Sequence, residues 1–325
     1  MKRRKTRWAL PALLVALALH AGCAARGPEV AEAVPASAAL PGARATPLLW
    51  RASGPEEGDG SFFLLGSVHI GRPEAVDFGA EVAEAFATCD ELVVEVDLSA
   101  LTDEEIAEQT ARYALLPDGQ TLRGMLSDET YALLEAHLGS RGIPMAAVDR
   151  LKTWAVSTVL AMLEFEAAGL RGDYGVDKRF IEWAAGRRSI RGLETLQSQL
   201  EILDGLSPRI QELMLADALL RMEDVAEESA ELLGAWERGD EAVLAHFLFG
   251  SLEEQPELAD FYEAVFFARN ETMAAQLAAL RGDGKRRFVV LGAGHMVGPR
   301  GIPALLASRG FQVQQVGGRL KPGGR

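Results

Sequence analysis

Phe62-Phe63-Leu64-Leu65-Gly66-Ser67-Val68-His69-Ile70-Gly71 is an apolar strand that starts on aromatics and ends in a glycine turn carrying a histidine. Far along the chain, Phe288-Val289-Val290-Leu291-Gly292-Ala293-Gly294-His295-Met296-Val297-Gly298 repeats the design. Both strands run into Leu-Gly-x-x-His and then another glycine. In open α/β sheets the loops beyond the carboxyl ends of the strands form the ligand crevice. Glycine at the first step permits a tight turn with φ > 0, and the imidazole three residues later then faces the sheet edge. The chain has five histidines, and two of them hold this shared place, 226 positions apart. Two such imidazoles on neighbouring strands can share a metal or act as a base and acid pair.

Outward from these turns, 47–52 and 61–65 read as a hairpin around the loose polar loop Gly54-Pro55-Glu56-Glu57-Gly58-Asp59-Gly60. Glu81 to Thr88 is a helix, and Leu92 to Val96 is a β-branched, nearly continuous apolar strand of the buried kind. Residues 103–168 are helical, broken at Pro117-Asp118-Gly119 and Gly139-Ser140-Arg141-Gly142. A helix over 176–185, a short strand over 189–193 and a helix over 196–203 follow. Residues 210–280 are again helical, punctuated at Gly239-Asp240 and Gly250-Ser251, before the strand 288–291, a helix over 302–308 and a last strand over 311–316. This order predicts an α/β fold: a mixed central β-sheet with flanking helices, capped by large helical insertions at about 100–170 and 205–280.

Carboxylates stand at matching sites. Glu95 lies inside the apolar run Leu92-Val93-Val94-Glu95-Val96-Asp97, where an ionisable group is costly unless it is paired or coordinating. Glu194 follows the short strand in Arg191-Gly192-Leu193-Glu194-Thr195, and Asp177 sits at a helix start. Two histidines and at least one glutamate at one sheet edge make the N/O ligand set of a divalent metal. Glu194 has an equally simple reading as a cap of the helix it precedes. His137 and His246 lie in helical segments without a partner motif and read as structural; Cys89 reads as a small buried hydrophobe. Gly292-Ala293-Gly294 lacks a correctly spaced third glycine and a following acid, so a dinucleotide turn fails. No nucleophile elbow, His-Glu-x-x-His or Walker sequence occurs.

With 325 residues, 48% apolar and 25% charged, the chain has globular composition and enough length for a substantial core. Two cysteines exclude a disulfide scaffold and a cysteine-rich zinc site. The first 22 residues hold five of the 33 bases and no acid, which leaves 28 bases against 47 acids in the remainder. So acidic a body argues against nucleic-acid binding. Those five bases, the apolar run Trp8 to Leu19 and His20-Ala21-Gly22-Cys23 have the layout of a secretory signal. Twelve residues rise only ~18 Å as a helix, too short to span a ~30 Å hydrocarbon core. The ending is similar to a bacterial lipobox with Cys23 as the lipidated residue, although His20 stands where an aliphatic is usual; a plain signal peptide is the alternative. The expected layout is a signal peptide over 1–22, a flexible tether over 23–46 and one α/β domain over 47–318.

Taken together, 65–71, 91–97, Gly175-Val176-Asp177, Gly192-Leu193-Glu194-Thr195 with Gln199, 267–274 and 290–298 resemble the TraB/GumN family, which includes the Tiki proteases and pheromone-shutdown proteins. The resemblance runs from about Pro47 to Val316. It implies a fold similar to erythromycin esterase and the haem-binding ChaN-like proteins. It also implies a membrane-tethered, divalent-metal-dependent hydrolase, a peptidase acting on a peptide or protein, with manganese or cobalt as the metal and zinc as a further candidate. By that similarity His69, Glu95 and His295 are the metal and catalytic residues, Glu95 as ligand or general base. Arg269 supports catalysis at an oxyanion or substrate carboxylate, and Asn270, Asp177 and Glu194 stand in support around them. The expected location is the cell envelope, lipid-anchored at the outer membrane. The alternative of a different class is a non-enzymatic envelope protein that sequesters a peptide, a metal or haem in the same cleft. Drift to a decayed site would spare one half as readily as the other, so the intact twin motif argues against it. A shared site requires His69 and His295 within ~10 Å at adjacent strand ends, because first-row metal–ligand bonds are only ~2 Å long.

Overall fold

Leu92, Val93 and Val94, and likewise Phe288 to Leu291, are fully apolar because their strands lie mid-sheet with both faces covered. In the computed structural model, which describes residues 48–316 apart from 57, 74–75 and 223, these strands belong to one six-stranded sheet. The signal segment, the tether and Cys23 lie outside the described residues. The strands are β1 (Leu49–Ser53), β2 (Ser61–Ser67), β3 (Glu91–Val96), β4 (Ser189–Glu194), β5 (Arg286–Gly292) and β6 (Gln312–Val316), in the order β4-β3-β5-β2-β1-β6. The β1–β2 hairpin is antiparallel, Leu49 opposite Leu65. β2, β5, β3 and β4 are parallel neighbours, and β6 is antiparallel to β1. Of the described strands β1 alone therefore runs against the rest. The carboxyl ends of β2, β5, β3 and β4 open on one edge, and each delivers one of His69, His295, Glu95 and Glu194.

At the opposite edge, buried Glu91 and Arg287 pair at 2.6 Å across β3 and β5, and Arg191 of β4 reaches Glu91 at 3.1 Å. Asp283 closes on Arg287 from the other side. This network ties the amino ends of the parallel strands in register. One sheet face is packed by α1 (Gly79–Ala87) and α5 (Val176–Ala184): Phe180 stacks on Phe288 at 4.9 Å, with Phe86 edge-on to both.

The first insertion holds α2 (Asp103–Ala114), α3 (Asp128–Ser140) and α4 (Thr153–Ala167). Thr102 and Ser127 cap the first two of these helices. The second follows α6 (Leu196–Asp204) and holds α7 (Pro208–Arg221), α8 (Val225–Glu237), α9 (Glu241–Glu254) and α10 (Ala259–Tyr262). The last of these continues through a π-helical turn, Glu263–Phe267, into α11 (Ala268–Ala279). One expected break is absent. The helix α9 passes through Gly250-Ser251 and stops at Gln255, before Pro256. Proline lacks the N–H that would continue the helix. Gly250 instead makes room for His246, since a Cβ there would stand 3.2 Å from Nδ1. The short α12 (Ala293–Met296) follows β5, and α13 (Ile302–Ser308) precedes β6.

Two apolar clusters result. One surrounds the sheet; the other is built from the insertions and α6, through residues such as Trp154, Leu200, Leu203, Phe261, Val265 and Phe266. A cleft lies where this second cluster meets the carboxyl edge of the sheet.

Candidate active site

The two glycine turns reach that edge by different routes. Ser67 faces Gly292, so the repeated Leu-Gly pairs are staggered by one residue across the β2–β5 ladder. Neither Gly66 nor Gly292 has the positive φ expected of a tight turn; Gly292 sits at φ −49, ψ 139. Both are glycines because of close approach. A Cβ on Gly66 would stand 3.3 Å from the Ala293 Cα, and one on Gly292 3.1 Å from both Glu95 Oε1 and His69 Nε2.

The His69 loop is clamped to the start of α5. Val176 N–H donates to the Val68 carbonyl at 2.9 Å, and Gly71 exchanges both backbone bonds with Arg171. Side chains are excluded there, since a Cβ on Gly71 would meet the Tyr174 carbonyl and one on Gly175 the His69 carbonyl. Asp177, in the first turn of α5, then accepts from His69 Nδ1 at 3.0 Å. His295, only 4% exposed, is carried by α12 and donates from Nδ1 to Asn270 Oδ1 at 2.5 Å. Asn270 donates its Nδ2 to the Arg300 carbonyl, which fixes the amide's orientation. Both rings therefore present Nε2 to the site. These atoms lie 4.0 Å (His69) and 3.7 Å (His295) from the same atom, Glu95 Oε1. The two histidines are thus within about 8 Å of each other, as a shared site requires.

Glu95 is held from every side. Its Oε1 accepts the Gly292 N–H at 2.6 Å, and its Oε2 accepts from Arg269 at 2.9 Å and Gln199 at 3.2 Å. Arg269 also makes a forked contact to Glu194 and donates Nη1 to the Val265 carbonyl. The guanidinium is therefore committed to fixing the two carboxylates. Glu194 does not cap α6, whose cap is the Thr195 hydroxyl. It binds Arg269 and, at 2.9 Å, Gln199. Burial alone would raise the Glu95 carboxyl; the His295, Arg269 and His69 side chains and the Gly292 N–H outweigh it and hold the group well below the usual carboxylate range.

The imidazoles diverge. Burial would lower His69, but the Asp177 carboxylate beside Nδ1, with Glu95 beyond, raises it to about 9. Burial dominates at His295 and lowers it to about 4. Without a bound ion, His69 is the more basic ring and His295 the less basic one.

The cleft above them opens to solvent. Its floor is His69, Glu95, Gly292, Gly294 and His295, and Gln199 and Arg269 form its polar side. Ile202 and Leu203 of α6 and Val265 and Phe266 of the π turn form an apolar wall. His69 Nε2, His295 Nε2 and Glu95 Oε1 are the atoms that could hold a divalent ion. Among the described residues no group of three or more His, Cys, Asp or Glu side chains already has the geometry of a metal cage. Donors of a tetrahedral ion stand roughly 3.3 Å apart for bonds of ~2.0 Å, so each ring nitrogen would close on Glu95 Oε1 by about half an ångström. The donor chemistry fits. Each ring's second nitrogen is tied to an oxygen, as orientation of a metal-binding histidine requires, and the absent Cβ of Gly292 leaves the space between the donors.

Gln199 and the π turn are the parts of the site whose roles sequence reasoning did not assign. Gln199 is a buried polar residue among Leu196, Leu200 and Leu203, and a polar group on an apolar helix face was the available signal. The π turn has no local signature. It brings Phe266 against the His295 ring at 5.6 Å, in keeping with the frequency of such turns at functional sites. The residues read as structural behave so. His137 and Arg141 converge on buried Glu164, and the Cys89 thiol donates to the Ala85 carbonyl.

The model of the TraB/PrgY/gumN family matches residues 48–315. The chain is similar to the uncharacterized protein YbaP of Escherichia coli (strain K12), 23% identical over 254 residues that cover 77% of this chain and 89% of that protein. It is similar to the YbaP of Shigella flexneri to the same degree, 23% identical over 75% of this chain and 86% of the relative. No solved structure matches.

Proposed function

The chain belongs to the TraB/PrgY/gumN family, and on that premise we propose that it is a divalent-metal-dependent hydrolase of the cell envelope that cleaves peptide bonds. The observation that carries this reading is the convergence of His69 Nε2 and His295 Nε2 on Glu95 Oε1 at the floor of an open cleft. His69, His295 and Glu95 would hold the ion, which when bound lowers the pKa of water toward neutrality and polarises the scissile carbonyl. Manganese or cobalt is the metal proposed, with zinc as the third candidate.

The chain's own residues supply the rest. Asp177 and Asn270 hold the two rings so that Nε2 faces the cleft. Glu95 stays ionised because Arg269 and the Gly292 N–H stabilise its charge, which suits a ligand better than a general base. Arg269 acts through Glu95 and Glu194, holding both carboxylates in place. The π turn and α6 shield one side of the reacting bond from water. For location we propose export by the signal segment and lipidation at Cys23, followed by anchoring at the outer membrane. No described helix is long and apolar enough to cross a membrane.

A second reading is favoured by one observation, the unlike partners of the two rings: His69 Nδ1 faces the Asp177 carboxylate, which raises it, whereas buried His295 faces the neutral Asn270 amide and is lowered. Paired groups pushed apart in this way can serve as acid and base, with His69 donating a proton and neutral His295 accepting one. The test is metal analysis of the purified protein together with cleavage of a peptide library. The metal reading expects near-stoichiometric ion, loss of turnover with chelator and recovery with Mn²⁺ or Co²⁺. Turnover that survives chelator selects the acid–base pair. Tight peptide or haem binding without products overturns both.

A further inference from the structure

The apolar wall and the internal pairing of every charge in the cleft bear on what the cleft accepts. Ile202 and Leu203 of α6 and Val265 and Phe266 of the π turn line the cleft, and Phe266 lies against the His295 ring. Phe266 lies so close to the chain leaving β5 that a Cβ on Gly294 would meet its ring at 2.7 Å, so the wall reaches down to the floor. The ionisable side chains lining the cleft are His69, Glu95, Arg269 and His295. Arg269 is spent on Glu95 and Glu194, His69 on Asp177, and Glu95 on Arg269 and Gly292. A charged substrate side chain would meet no free counter-charge on this lining and would lose its hydration against the wall.

One polar atom does lack a partner. Gln199 gives its Nε2 to Glu95 and Glu194, which fixes the amide's orientation and leaves Oε1 as an acceptor. That atom is buried and has no hydrogen-bond partner among the described residues. An unpaired buried acceptor beside an apolar wall suits a ligand that offers an N–H next to an apolar side chain.

Resting on the reading of this cleft as a hydrolytic site, we infer that its substrate places an aliphatic or aromatic residue against Ile202, Leu203, Val265 and Phe266 and donates that residue's amide N–H to Gln199 Oε1. The apolar wall sets preference for the side chain, and the acceptor selects an amide over an ester at that position.

The experiment measures binding and not turnover. The full chain, with chelator present, is titrated by ligand-observed NMR with four probes: the acetylated amides of leucine, lysine and aspartate, and that of N-methyl-leucine. The leucine probe should bind at least tenfold tighter than either charged probe, and N-methylation, which removes the donor, should weaken it severalfold. Ile202→Glu, at a half-buried position, should cost the leucine probe tenfold and bring the lysine probe level with it or above it, with an unchanged circular dichroism spectrum as the control for folding. Equal or tighter binding of a charged probe overturns the inference. So does an unchanged ranking in Ile202→Glu, or no binding by any probe. An N-methyl probe as tight as its parent removes the role of Gln199. A protein that ranks the probes as stated but cleaves no peptide loses the hydrolase reading and keeps this one. Cleavage confined to charged residues at this position does the reverse.

Discussion

At Gly292 the backbone conformation, φ −49 and ψ 139, is open to any residue, so its side chain is missing for the site's sake. Gly292→Ala should fold with an unchanged circular dichroism spectrum and lose divalent-ion affinity at least tenfold by calorimetric titration, because its Cβ would stand 3.1 Å from both His69 Nε2 and Glu95 Oε1. His69 gives a pH signature. Its imidazole titrates near 6.5 when free and about 9 when folded, with burial opposed by Asp177 and Glu95 and Arg269 as the nearby cation. A raised folded pKa stabilises fully below 6.5, and that contribution is lost as pH rises through about 9. Urea midpoints of the metal-free wild type and Asp177→Asn should therefore differ most at pH 6 and converge by pH 10; a constant gap would refute the pairing. Cys89 is a simpler case. Burial pushes its thiol up to about 12, so Ellman's reagent at pH 8 should label it only after unfolding. At this scale sequence alone reached far: both histidines, Glu95, Asp177 and Asn270 stand around one centre. The glycines' role was misjudged, since their conformation depends on what packs against them and not on the turn itself.

Among the elements, α8 anchors the first histidine strand from outside the sheet. Trp236, nearly fully buried, donates Nε1–H to the Gly66 carbonyl at 2.7 Å. Trp236→Phe keeps most of the ring and strands that carbonyl, so it should cost about 1–3 kcal/mol in urea unfolding. Trp236→Ala should cost about 3–5 kcal/mol. If the phenylalanine variant is as stable as wild type, the hydrogen bond contributes nothing. The π turn is an element whose effect is positional. One extra residue per turn over Glu263–Phe267 sets the phase in which α11 delivers Arg269 and Asn270. The helix start expected at 103 is where the Thr102 capping box sets it, whereas the start expected at 210 lies at Pro208, after the Ser207 cap. Gly250 misled because glycine also occurs inside helices where a neighbour needs room, and there His246 takes it.

For the whole molecule, the proposed export and lipid anchoring rest on the five bases, the apolar run 8–19 and Cys23 near the start of the sequence. Cys23→Ala should move the protein from the membrane fraction to the soluble one and abolish fatty-acid labelling; a soluble, unlabelled wild type would end the lipid-anchor reading. Strand and helix succession, the twin histidine turns and the misplaced-looking Glu95 are properties of the sequence alone, because hydrophobic period and turn chemistry act over a few residues and leave a local record. Strand order is not. That β3 and β2 flank β5, bringing Glu95 and His69 to His295, follows from parallel pairing between segments up to about 225 positions apart. The same holds for Arg269, 174 positions from the Glu95 it holds, and for the Glu91–Arg287 pair at the far edge. Such contacts depend on how burial and charge are satisfied in the assembled sheet, and no window of the chain carries that information. The sequence by itself singled out His69, Glu95 and His295 as candidates, and only the tertiary structure decided that the rings' Nδ1 atoms are tied back and both Nε2 atoms face one carboxylate oxygen.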